Sequence, residues 1–214
     1  MPTPSAAASV AKRPVILSGA KLRVAEQHLL KSDGVMAKLV RKHGNCKLGT
    51  RGFQPFHALT TAIISQQLSV KAAHTIASRV AQHAARPFDA QAMLRLDPEL
   101  LRGAGLSAAK VRYILELARR TQDGAINFAQ IRKDNDDAAI AALTEVPGIG
   151  RWTAEMFLIF TLKRPDILAL GDAGLARAVR LLYGETAEMQ AVAERWRPYR
   201  SVASWYLWRH LDAE

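Results

Sequence analysis

The chain has 214 residues, of which 49% are hydrophobic and 23% charged, a globular rather than a disordered composition. Its 30 Lys and Arg outnumber 19 Asp and Glu, for a formal net charge of +11. That balance argues against an acidic, metal-clustering protein and for a polyanionic partner, nucleic acid before an anionic membrane surface. The single cysteine, Cys46, excludes an intramolecular disulfide and a four-cysteine zinc or iron–sulfur site, and no apolar run reaches the roughly 18 residues of a membrane span. A soluble protein of the cell interior is expected.

Residues 1–14 are small, polar and proline-rich, without the apolar stretch of a secretory signal. They read as a flexible tail whose Lys12 and Arg13 add weak, sequence-blind attraction to phosphate. Helical patterning then runs almost without interruption. A short helix is expected over Val24–Leu30. A second follows, capped by Ser32 or Asp33, with Met36, Leu39 and Val40 on one face and Gly44 as its stop. Leu59, Ala62, Ile63 and Gln66 share a helical face, and Val70, Ala73, Ile76, Ala77 and Val80 resume it behind an N-cap at Ser69. Gln66-Gln67-Leu68-Ser69 therefore lies at a junction between helices. Ser107 caps a helix carrying Val111, Ile114, Leu115 and Ala118. Asp136 or Asp137 starts a helix ending near Leu143. Leu175, Ala178, Val179 and Leu182 repeat the spacing up to Gly184. Thr186 opens a helix through Met189, Val192 and Trp196, and a last helix spans Pro198 to Leu211. No sustained period-2 stretch occurs, so the fold class is all-α. No Gly/Ser linker divides the chain, so residues 15–214 read as one domain whose lobes interleave rather than follow in series.

The most informative segment is Leu143-Thr144-Glu145-Val146-Pro147-Gly148-Ile149-Gly150-Arg151-Trp152-Thr153-Ala154. A helix ends, Pro147-Gly148-Ile149-Gly150 makes a tight hairpin, and an apolar helix with Trp152, Met156, Phe157, Ile159 and Phe160 follows. The glycines permit positive φ and close approach of a partner. The N–H groups of the hairpin and of the next helical turn lack internal partners and suit a phosphate, with Arg151 adding charge. An ordinary helix–turn–helix corner needs only part of this string.

The string resembles the helix-hairpin-helix motif of the DNA glycosylase superfamily. That superfamily places an essential aspartate in a Gly-bearing loop after the hairpin, and here Leu170-Gly171-Asp172-Ala173-Gly174-Leu175 puts Asp172 22 residues beyond Gly150. Four further patches narrow the likeness to the 3-methyladenine DNA glycosylase II, or alkylbase glycosylase, branch: Phe56-His57-Ala58-Leu59 leading into Ser65-Gln66-Gln67-Leu68-Ser69; Leu101 through Ser107; Gly150-Arg151-Trp152-Thr153; and Ala193 through Ser201. The chain looks like a compact form, without room for the extra N-terminal α/β lobe of larger bacterial relatives. The resemblance implies a helix-hairpin-helix fold, two helical lobes around a DNA-binding cleft, with the hairpin unit at 143–160. It also implies a monofunctional glycosylase of base excision repair acting on alkylated purines such as 3-methyladenine and 7-methylguanine. Double-stranded DNA with alkylated bases is the implied partner, with enzymes that process abasic sites downstream. A monomer, no required cofactor, no membrane, and work at the chromosome (in the bacterial cytoplasm, or in a nucleus) complete the expectation. Relatives that also cut the strand carry a lysine where Trp152 stands; an indole cannot form a Schiff base, and Arg151 stays protonated.

Cleavage of an N-glycosidic bond passes through a sugar cation, which a carboxylate near C1′ stabilises while it orients or deprotonates water. One carboxylate suffices when the base already carries positive charge and leaves neutral, as N3- or N7-alkylpurines do. Asp172 is the expected carboxylate, and it is also placed to cap the helix that begins near Leu175. Asp166 is the nearest rival. A flipped, cationic base stacks on electron-rich rings; by resemblance Trp152 and Trp208 line that pocket, Met156 stands where a relative has tyrosine, and Phe53 is a further candidate. For each aromatic, core packing is the competing role. Gln67 or Leu68 is the expected wedge filling the vacated stack, and Gln66 is either beside it or a buried hydrogen-bond partner. Ser107 and Lys110 are placed to hold a second phosphate or to form a solvated cap. The resemblance also implies a monovalent cation, Na+ or K+, on the carbonyls of Thr144, Val146 and Ile149. Arg200 and Ser201 can bind structure rather than DNA, and His57 carries no assigned role. Excision of another lesion class, or a non-catalytic module that only clamps phosphate, are the alternatives; a helix-turn-helix regulator matches Pro-Gly-Ile-Gly poorly.

Overall fold

The structure, a computed structural model, describes residues 15–48, 52, 54–84 and 88–213, all in helices, turns and loops with no strand among them. Phe53 and the tail at 1–14 fall outside the described residues. Helix α1 spans Gly19–Ser32, five residues earlier than the apolar periodicity indicated, because Gly19, Ala20 and Lys21 face solvent and Leu22 alone carries the apolar pattern there. Asp33 ends it and caps α2 (Gly34–His43) by accepting from the N–H groups of Val35 and Met36. Gly44 closes α2 at φ +68°.

The middle of the chain builds one group of helices: α3 (Pro55–Ser65), α4 (Val70–His83), α5 (Ala90–Leu94), α6 (Pro98–Gly103), α7 (Ala108–Gln122), α8 (Phe128–Ile131), α9 (Asp136–Thr144) and α10 (Arg151–Phe160). Helix α3 packs on α4, α7 and α10, and α9 packs on α10 across the hairpin. The chain then returns through α11 (Ala173–Tyr183), α12 (Met189–Ala193), a 3-10 turn at Glu194–Trp196 and α13 (Arg200–Leu211). These pack on α1 and α2 to make the second group, so the lobes interleave. Burial of the apolar helix faces drives this assembly, with Leu29, Met36, Trp196, Tyr206, Ile63 and Ile114 all under 2% exposed.

Two buried carboxylates stitch the terminal lobe. Asp33 Oδ2 accepts from the Tyr183 hydroxyl and the Trp196 indole N–H at 2.9 and 3.1 Å. Glu26 accepts from the Cys46 N–H and the Tyr206 hydroxyl. Burial pushes the Cys46 thiol up to about 12, so it stays protonated and is no nucleophile. Helix α9 starts at Asp136, as expected, and Asn135 caps it, its side chain accepting from the Ala138 N–H at 2.8 Å. Two expected boundaries are corrected. The helix expected from Thr186 to Trp196 starts only at Met189 and tightens to a 3-10 turn, because no side chain caps its start and Glu188 stands at that position. The last helix starts at Arg200, since Pro198 lies in the turn before it.

Candidate active site

The hairpin is built as its sequence requires. Ile149 N–H bonds the Val146 carbonyl at 3.0 Å, which turns the chain from α9 into α10. Gly148 sits at φ +85°, and a Cβ there would meet the Tyr113 ring at 2.3 Å, so the position demands glycine on two counts. Gly150 is the N-cap of α10 and brings no side chain to it, which leaves the first-turn N–H groups facing outward. Gln66, at the end of α3, donates its side-chain amide to the Gly148 carbonyl at 2.8 Å. The α3–α4 junction is thereby tied to the hairpin. Gln67 beside it takes φ +57°, a conformation costly for a residue with a Cβ, and Gln67, Leu68 and Ser69 are exposed.

Asp172 lies beside the first turn of α10, 8% exposed, as the N-cap of α11. Three N–H donors converge on its carboxylate. The Leu175 backbone N–H and the Trp208 indole N–H reach Oδ1 at 2.7 and 3.1 Å, and the Trp152 indole N–H reaches Oδ2 at 2.7 Å. Gly174 keeps this cluster open, because a Cβ there would come within 3.1 Å of Oδ1 and 3.6 Å of Trp208 Cδ1. Trp208 also rests against the Phe160 ring, 5.7 Å between centroids. Trp152 is 49% exposed, so about half of its surface is open to solvent beside the carboxylate. The two tryptophans are thus holders of the carboxylate as well as rings beside it, a role that helical spacing does not reveal. The rival Asp166 is spent on structure: Arg200 grips it through Nε at 2.7 Å and Nη2 at 3.0 Å, and Arg197 adds a bond at 3.2 Å. Ser201 is fully buried and accepts from the Ile167 N–H.

A mostly apolar cavity of 260 Å³ lies between α3 and α10, lined by Ala58, Ala62, Ser65, Thr153, Met156 and Phe160 among others. Of the expected pocket residues Met156 lines it, while Trp152 and Trp208 do not; Phe160 links it to Trp208. Ala58, Ala62 and Phe160 stood out in the sequence only as helix-face or motif residues and not as pocket lining, because small and aromatic residues on a helix look like ordinary core. Lys110 needs correction. Its ammonium donates to the carbonyls of Ile64 and Gln66 at 2.8 and 2.7 Å, closing the end of α3, and burial lowers its pKa. Ser107 caps α7 by accepting from the Lys110 N–H at 3.3 Å. Glu155 went unnoticed in the sequence. It is 3% exposed on α10, bonded to Arg151 Nε at 3.0 Å, and burial first, then the charge of Asp172, raise its pKa against the pull of Arg151.

The HhH-GPD superfamily base excision DNA repair protein model matches residues 60–200. The chain is 32% identical over 199 residues to DNA-3-methyladenine glycosylase 1 of Schizosaccharomyces pombe, covering 88% of this chain and 87% of that one. Among solved structures, a Bacillus halodurans DNA-3-methyladenine glycosidase superposes with TM-score 0.78 at 34% identity, over 86% of this chain and 88% of the other. The S. pombe Mag1 3-methyladenine glycosylase in complex with abasic DNA superposes with TM-score 0.74 at 31% identity, over 88% and 97%. A Clostridium acetobutylicum 8-oxoguanine glycosylase/lyase, at 15% identity, shares the fold. With its hairpin, its tethered helix junction and its tryptophan-flanked aspartate, this chain belongs to the HhH-GPD superfamily of base excision DNA repair proteins, in the branch of the 3-methyladenine DNA glycosylases.

Proposed function

We propose that this protein is a monofunctional DNA glycosylase that flips alkylated purines, 3-methyladenine and 7-methylguanine among them, out of duplex DNA and hydrolyses their N-glycosidic bond. The observation that carries the reading is the Asp172 carboxylate held by three N–H donors at the mouth between the hairpin helix and α13. A carboxylate fixed in this way meets the developing sugar cation without reorganising. Trp152 and Trp208 hold it, and the exposed Trp152 face stacks the extruded purine. The cavity with Met156 and Phe160 takes the base edge; its lining includes no titratable side chain. A base that needs protonation to leave gains little there, whereas a cationic alkylpurine leaves unaided. This weighs against the reading that another lesion class is the principal substrate.

The hairpin N–H groups and Arg151 bind the backbone phosphate, and Gln67 or Leu68 enters the stack in place of the flipped nucleotide. Thr144 ends α9, so its carbonyl lacks a helical partner, and the Val146 carbonyl keeps a lone pair beyond its bond to Ile149. With the Ile149 carbonyl these would hold a Na+ or K+ and set a positive charge beside that phosphate. The protein works as a monomer at the chromosome and hands an abasic site to downstream enzymes. No described helix is long and apolar enough to cross a membrane. The test is release of free base from methylated duplex DNA by the wild type beside Asp172→Asn, with strand breaks expected only after alkali. Loss of release with DNA binding kept supports a glycosylase; binding without release by the wild type would leave a phosphate-clamping module.

A further inference from the structure

Arg151 opens α10 beside the hairpin, and its side chain is 70% exposed. Its Nε is taken by Glu155, one helical turn later, at 3.0 Å. Among the described residues neither of its terminal nitrogens has a partner, unlike Arg200, which spends Nε and Nη2 on Asp166, or Arg164, which spends both terminal nitrogens inside the fold. A carboxylate binds a guanidinium most strongly through two parallel bonds. Here it takes one, through the nitrogen nearest the stem, and leaves the fork pointing out. Glu155 itself is a costly residue for its place. It is 3% exposed between Ala154 and Met156, and Arg151 is its one hydrogen-bond partner among the described residues. Burying a carboxylate with one bond opposes folding, and an apolar or amide side chain would serve the core better. The pair lines one groove with Leu170, two residues before Asp172; of the groove's other carboxylates, Asp136, Asp166 and Glu194 are each paired with an arginine, which leaves Asp137 as its one acidic side chain without such a partner among the described residues.

We infer that Glu155 is a positioning residue that aims the Arg151 fork at the DNA phosphate beside the hairpin. The inference rests on the glycosylase reading above and deepens it, since it names the residue that orders one of its phosphate contacts. Glu155 does not touch DNA; it restricts a side chain that otherwise loses rotamer freedom on binding, and so lowers the cost of that contact.

The test uses the whole chain, a duplex with a non-cleavable lesion analogue, and Glu155→Gln, Arg151→Ala and the double variant. Arg151→Ala is expected to weaken binding about tenfold at 100 mM salt and to reduce the slope of log K against log salt by about 0.9, one phosphate's share. Glu155→Gln is expected to weaken binding about threefold, and the double variant should be no worse than Arg151→Ala, because Glu155 acts only through the arginine. On methylated duplex at saturating protein, the single-turnover rate of base release should show the split, affinity lost and chemistry kept within about twofold for Glu155→Gln. Thermal unfolding separates this from a structural role. Because burial holds the Glu155 pKa above its ordinary value, its ionised form opposes folding near neutral pH, and Glu155→Gln should keep or raise Tm. Normal affinity in Glu155→Gln, effects that add in the double variant, or an unchanged salt slope in Arg151→Ala overturns the inference. Failure of the wild type to bind DNA at all would instead overturn the reading beneath it.

Discussion

Asp172→Asn tests the proposed chemistry and the local structure together. The carboxylate accepts Leu175 N–H and Trp208 Nε1–H on one oxygen and Trp152 Nε1–H on the other. Asparagine has one acceptor oxygen and one NH2 group. If its oxygen keeps the cap of α11, its NH2 faces the Trp152 indole N–H, donor against donor. One N–H at an 8%-exposed position then goes unpaired, which costs about 1–3 kcal/mol. For a chain of this length that corresponds to a Tm lower by about 3–9 °C. The catalytic loss is larger. A unit charge about 4 Å from a sugar cation at an effective dielectric of about 20 contributes roughly 4 kcal/mol, or about a thousandfold in rate. Single-turnover release of 3-methyladenine from methylated duplex, with differential scanning fluorimetry on the same preparation, reads both. Base release within about tenfold of wild type refutes the assigned role of Asp172. An unchanged Tm refutes the account of the three donors. Trp152→Phe separates the two effects, since it removes the bond to Oδ2 and leaves the charge; release should fall about tenfold, with DNA affinity changed little.

Filling the α3–α10 cavity with Ala62→Leu should lower kcat/KM for methylated DNA at least about tenfold while affinity for an abasic-site duplex holds, because the added side chain occupies space proposed for the base; equal loss of both would assign the cavity to the fold alone. Gly148→Ala places a Cβ against Tyr113 at positive φ and should cost about 2 kcal/mol or more in urea unfolding and loosen DNA binding, since the hairpin must shift. Burial, then Lys42, His210 and Arg209, hold the His43 pKa below its ordinary 6.5. The unfolded chain therefore binds more protons, and stability falls as pH drops below about 6.5 and through the lower folded-state value; His43→Gln should flatten that part of a Tm–pH curve between pH 7.5 and 5. Trp152 in place of an amine predicts no borohydride-trapped protein–DNA adduct, and a trapped species would overturn the monofunctional assignment.

Local chemistry made much of this molecule legible in advance. Helical period located the apolar faces of α2, α7 and α11, whereas on α4 Val80 is buried but Val70, expected on the same face, is 90% exposed; Ser69, Ser107, Asp33 and Asp172 occupy the caps that their side-chain oxygens suit. The hairpin was readable because Gly148 and Gly150 meet needs set within a few residues. Even the place of Asp172 was local, as the first residue before a helix. What its oxygens meet was not: Trp152 and Trp208 reach it from 20 and 36 residues away in sequence, on two different helices. Periodicity reports which face of a helix is apolar, and an indole satisfies that pattern whether its N–H meets a carboxylate or water. Lys110 illustrates the converse, since its charge suited a phosphate until the end of α3 arrived with two open carbonyls. Glu155 fitted no apolar stripe and no motif, and its burial beside Arg151 exists only once α10 is packed. The sequence alone therefore determined the helices, their caps and the hairpin, whose causes lie within a turn or two of chain. Only tertiary packing decided which polar atoms share a site, because those partners are chosen by the approach of helices distant in sequence.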